Sequence, residues 1–89
     1  MDKVQVTATG SHSFEVRVVG APRPYRVQVP PPFVAELGLP GVDDAQLVEA
    51  SFAFLLEHEP AGSILPEFEL PVISSYFPDY RDEMRRRLS

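Results

Sequence analysis

The chain contains no cysteine, which removes a disulfide framework, a thiolate nucleophile and a thiolate zinc site together. Stability must therefore come from burial and hydrogen bonding. It also has no long apolar run. The richest stretch, Ala50 to Leu56, is far shorter than the roughly 20 residues of a membrane helix. Met1 to Gly10 is polar and alternating, with neither a basic start nor an apolar stretch of signal-peptide length, so a cytoplasmic protein without a membrane partner is expected. The five glycines fall at turns or helix ends and form neither a phosphate-binding loop nor a serine elbow. The largest gap is in positive charge. From Phe33 to Tyr80, 48 consecutive residues, there is no lysine or arginine, against nine carboxylates: Glu36, Asp43, Asp44, Glu49, Glu57, Glu59, Glu67, Glu69 and Asp79.

What is present is the composition of a folded domain. Of 89 residues 44% are hydrophobic and 24% charged, with six Phe and three Tyr, enough for one small core and too few for two. The net charge of −5 argues against general affinity for nucleic acid or anionic lipid. That total conceals a pattern: residues 1–32 carry +2, residues 33–80 carry −9 and residues 81–89 carry +2. The acidic middle either solvates one face with carboxylates or meets the basic ends of its own or another subunit, an arrangement that fixes orientation more than it adds affinity.

Periodicity predicts an α+β fold. Val4, Val6 and Ala8, then Phe14, Val16 and Val18, then Tyr25, Val27 and Val29 alternate with polar residues, the pattern of half-buried strands. They predict a three-stranded antiparallel meander over about 3–9, 14–19 and 25–29, with a turn at Gly10 to Ser13 and a breaker at Gly20 to Pro24. Three strands leave two open edges, and the first has no run of charge or proline to blunt it, so strand-to-strand dimerisation is open to it. Pro30-Pro31-Pro32 should end the sheet and open a short helical turn, Phe33 to Leu37, closed by Gly38. Val42-Asp43-Asp44-Ala45-Gln46-Leu47 carries a capping box between Asp43 and Gln46 and a hydrophobic staple between Val42 and Leu47. The main helix should run over about 43–58 and stop before Pro60. Its apolar stripe, with Phe52, Phe54, Leu55 and Leu56 close together, is wider than one sheet face covers, so a second partner surface is expected, with the carboxy-terminal segments as one source. Short helices should follow: a turn capped by Ser63 through Ile64, Leu65 and Phe68, one opened by Pro71 with Val72, Ile73, Tyr76 and Phe77, and a last one after Asp79 with Tyr80, Met84 and Leu88 on one side.

The string Val48 to Pro60, followed by Ser63 to Phe68 and by Ser75-Tyr76-Phe77-Pro78-Asp79-Tyr80, resembles a pattern in short uncharacterised bacterial proteins, VEASFxFLLExEPxxSILxxF with a later YFPxY. The resemblance covers about half the chain and brings no activity, ligand or catalytic residue with it.

Candidate chemistry is sparse. Glu57, His58 and Glu59 with distant His12 are the best metal set, but neighbouring helical residues point about 100° apart, whereas ligands on one helix face are three or four residues apart. Ser11-His12-Ser13 reads as turn chemistry, because adjacent residues in a tight turn do not aim nucleophile and base together. No catalytic residue, metal ligand or cofactor is predicted. Arg81, Arg85, Arg86 and Arg87, beside Tyr76, Phe77 and Tyr80, form the one basic and aromatic cluster. It reads either as a nucleic-acid contact or as a solubilising helix whose cations suit the negative end of the dipole. The favoured reading is a non-enzymatic protein-interaction module that acts on a partner or on a second copy of itself. Its interface is expected at Phe52, Phe54, Tyr76, Phe77 and Tyr80 with those four arginines. A nucleic-acid accessory role and a small enzyme or metal-binding protein are the alternatives.

Overall fold

The computed structural model describes residues 4–39 and 41–88. Lys3, at the start of the first expected strand, lies outside them. The first two strands, β1 (Val4–Ala8) and β2 (Ser13–Val18), form an antiparallel hairpin with Val6 opposite Val16 and Ala8 opposite Phe14. The turn between them is closed by the Thr9 N–H on the Ser13 carbonyl at 2.9 Å. β3 (Tyr25–Gln28) pairs antiparallel with β2, placing Val27 opposite Phe14 and Tyr25 opposite Val16. These three strands form the expected meander.

The sheet has a fourth strand that periodicity does not show. β4 (Glu67–Glu69) lies parallel to β3, with Phe68 opposite Val27, and makes the sheet mixed in the order β1-β2-β3-β4. The expected turn from Ser63 through Phe68 is corrected accordingly: Ala61–Ser63 is a single 3₁₀ turn, and Phe68 belongs to the strand. Three residues with one apolar member are too short to display a period of two. The backbone secures the strand at both ends, through the Arg26 N–H on the Pro66 carbonyl at 2.8 Å and the Leu70 N–H on the Gln28 carbonyl at 3.0 Å.

Helices form where local chemistry specifies them. In α1 (Pro31–Leu37), two prolines occupy the first turn, where their missing donors cost nothing. Gly38 ends that helix at φ 64° and donates to the Ala35 carbonyl at 3.2 Å, a left-handed conformation that favours glycine. The expected capping box starts α2 (Asp44–His58): Gln46 N–H donates to Asp43 Oδ1 at 2.7 Å, and Asp43 N–H donates to Gln46 Oε1 at 3.0 Å. The chain closes with α3 (Pro71–Tyr76) and α4 (Tyr80–Leu88).

One row of side chains, Ala8, Phe14, Val27 and Phe68, crosses all four strands on the inner face. The neighbouring outer row, Thr7, Glu15, Arg26 and Glu67, sets one arginine between two carboxylates. α2 packs against the sheet on one side and α4 on the other, which explains its wide apolar stripe. Phe52 meets Tyr25 edge-on at 5.4 Å and Phe68 at 6.0 Å. Two residues on, about 200° around the helix, Phe54 meets Tyr80 and Phe77, both at 5.6 Å. The second partner surface that the stripe requires is thus supplied by the carboxy-terminal helices. Burial of each of the phenylalanines Phe52, Phe54 and Phe68 stabilises the fold by about 1.5–3 kcal/mol relative to exposure.

Candidate functional site: an apolar groove beside a fastened arginine helix

The basic cluster is largely engaged within the chain. Arg81 Nη1 meets Glu36 Oε2 at 2.5 Å, and its Nε donates to Ser74 Oγ at 3.3 Å; its guanidinium lies over the Phe33 ring, 5.2 Å from the centroid. Arg85 donates from Nε to the Leu37 carbonyl at 3.1 Å and from Nη2 to the Glu36 carbonyl at 3.2 Å. It therefore satisfies carbonyls that the end of α1 leaves without helical partners. Arg86 pairs with Glu83. Arg87 donates to Glu83 Oε1 at 3.0 Å and to Glu57 Oε1 at 2.6 Å, with its guanidinium 5.8 Å from the Phe54 centroid.

The shifted carboxyls record this pairing. The hydrogen bond from Arg87 holds Glu57 below the ordinary range, and those from Arg86 and then Arg87 hold Glu83 low. The basic end and the acidic middle do meet, within one chain: Arg81 reaches Glu36 and Arg87 reaches Glu57.

The expected interface divides. Phe52, Phe54 and Tyr80 are at most 1% exposed, so their placement at a surface is corrected. They are core because α2 is sandwiched between the sheet and the carboxy-terminal helices. Tyr80 donates its hydroxyl to Ser51 Oγ at 2.5 Å, since Ser51 spends its own proton on the Leu47 carbonyl at 2.7 Å. Burial pushes the Tyr80 phenol well above its usual pKa of 10. Phe77 is half-buried, and Tyr76 stands 67% exposed.

Tyr76 marks what remains open. It stands at the rim of an apolar groove of about 160 Å³ between the carboxy-terminal half of α2, the loop after the 3₁₀ turn, and α3. Leu55, Ile64, Phe68 and Ile73 are among its lining residues, together with Leu65, 44% exposed, and the half-buried Glu59. Among the described residues Glu59 has no ion-pair partner. No family model matches the chain, and neither a curated protein nor a solved structure matches it.

The groove draws its lining from residues 55–65 and 68–77. Part of it was visible as the spacing of Val72, Ile73, Tyr76 and Phe77 on one helix. Ile64, Leu65 and Phe68 join it only because β4 draws the intervening loop onto the sheet. A second depression, lined by Ser13, Glu15, Arg26, Gln28 and Glu67 on the outer sheet face, is polar and of mixed sign.

The metal candidates are not brought together. Glu57 goes to Arg87, His58 Nδ1 lies 2.9 Å from the Phe54 carbonyl, and His12 Nδ1 lies 3.4 Å from Asp44 Oδ2. Among the described residues no group of three or more His, Asp or Glu could hold a metal ion. Among them, too, no helix is long and apolar enough to cross a membrane.

Proposed function

We propose that this protein is a small, acidic, non-enzymatic protein-interaction module that docks an apolar side chain of a partner polypeptide in the groove between α2 and α3. The observation that carries this reading is an apolar groove left open in a chain that otherwise covers its large rings, with Tyr76 and Leu65 exposed at its mouth. Aromatic residues beside a desolvated pocket are the usual anchors of protein interfaces. Nucleic-acid contact through α4 is less well supported, because Arg81, Arg85 and Arg87 already hold that helix to α1 and α2.

The test is quantitative affinity capture from the native cell with the wild-type chain, Tyr76→Ala and Leu65→Ser. Both positions are exposed, so unchanged melting curves will certify the fold. A stoichiometric partner retained by the wild type and lost by both variants is expected. A partner held equally by all three would place its contact elsewhere.

Self-association through β1 is a second reading, favoured by the position of that strand. β1 is an edge strand, and Val4 to Ala8 contains neither charge nor proline, the usual guards against edge pairing. A second copy laid antiparallel along it would continue the sheet. Light scattering at low and high salt should show dimers at high concentration, and a monomer throughout would dismiss this reading.

A further inference from the structure

We propose that the groove selects a polypeptide segment in which one ring-sized apolar side chain adjoins a lysine or arginine, the apolar group seated against Ile64, Phe68 and Ile73 and the cation held by Glu59 and Tyr76. This rests on the groove being the docking site.

The volume sets the size of the anchor. A cavity of about 150 Å³ lined by aliphatic and aromatic side chains accepts one benzene ring, and the groove offers about 160 Å³ with a similar lining. It therefore accommodates a single Phe or Leu side chain and not an extended row of anchors.

Charge sets what flanks that anchor. Every lining residue lies between Leu55 and Phe77, a segment with four carboxylates and no lysine or arginine. The nearby cations come from α4 and are already committed: Arg81 to Ser74 and Glu36, Arg87 to Glu57 and Glu83. Glu67 and Glu69 alternate with Phe68 along β4 and so point to the opposite face of the sheet. Glu59 is left as the half-buried, unpaired carboxylate of the lining. It stands just past the carboxy-terminal end of α2, where the helix dipole also favours positive charge. Tyr76 adds an exposed ring face, on which a guanidinium or ammonium gains cation–π attraction. A carboxylate at a helix carboxy terminus and an exposed aromatic face in the lining of one groove suit a cation and repel an acidic segment.

The test is a nitrogen-15 NMR titration of the full chain with three short synthetic peptides. One carries a phenylalanine flanked by lysines, one a phenylalanine flanked by glutamates, and one an alanine flanked by lysines. The lysine–phenylalanine peptide should shift amides around Ile64, Ile73 and Tyr76 and bind about tenfold more tightly at low salt than the glutamate peptide. Glu59→Gln, whose backbone cap does not use the side chain, should remove most of that difference, and the alanine peptide should leave the groove amides unmoved. Equal binding of the two phenylalanine peptides, or preference for the acidic one, would overturn the cation selectivity while leaving groove docking intact. Silence of the groove amides towards both would overturn groove docking itself.

Discussion

The buried hydroxyl pair between α2 and α4 yields a prediction with an internal control. Ser51 donates to the Leu47 carbonyl, so Tyr80 is the donor in the 2.5 Å contact between the two hydroxyls, and both residues are fully buried. Tyr80→Phe removes that donor and leaves Ser51 still bonded to Leu47. Its cost is one net hydrogen bond, about 0.5–1.5 kcal/mol. Ser51→Ala instead strands the Tyr80 hydroxyl without its acceptor, about 1–3 kcal/mol, offset by about 0.5 kcal/mol because alanine is the better helix former. In the double variant nothing is stranded. It should therefore lose less than the two single variants together, by about 1 kcal/mol. Urea unfolding of the wild type and the three variants measures this directly, and in a domain of this size each kilocalorie also moves the melting midpoint by about 4–8 °C. Additivity within about 0.5 kcal/mol would refute the hydrogen bond between the two hydroxyls.

Three further outcomes follow from the same interactions. Gly38→Ala should destabilise by about 1–2 kcal/mol in thermal unfolding; among the described residues beyond its chain neighbours no atom lies within 4 Å of the added Cβ, so the loss comes from the backbone at φ 64°. Burial raises the phenols of Tyr25 and Tyr80 above 10, so their contribution is intact below pH 10 and is lost as pH rises beyond it. Ultraviolet titration should show phenols ionising late and together with alkaline unfolding, and Tyr80→Phe should reduce that late absorbance. Glu57 and Glu83 are held low by Arg86 and Arg87, so the stability they confer is present above about pH 4.5 and falls away as pH drops below it; Arg87→Gln should flatten that acid limb, and an unchanged limb would remove Arg87 as its cause.

Legibility in the sequence followed the range of the interactions. The capping box spans three residues and the hairpin partners about ten, so residue types and spacing disclosed both. The clamp on α4 joins Arg81 to Glu36 and Arg87 to Glu57 across 45 and 30 positions. Segment charges suggested that such a meeting takes place, but not which residues make it or that one chain suffices. Phe52 and Phe54 read alike as surplus apolar surface, and only the tertiary arrangement sends one to the sheet and the other to Tyr80 and Phe77. The groove was least legible, because Phe68 reaches it through a strand too short for its alternation to be read as a period.

The parallel pairing of β3 with β4 also orders the assembly of the fold. β1, β2 and β3 find their partners about ten positions away, whereas Arg26 meets Glu67 after 41, with both α1 and α2 in the intervening loop. Closing that loop carries the larger chain-entropy cost, and contacts so distant in sequence slow folding. β4 is therefore expected to dock after the meander has formed, and as a three-residue edge strand to be among the first elements released in native-state hydrogen exchange. Its release withdraws Phe68 from the lining, so the groove proposed as a docking site exists only while one short strand stays paired.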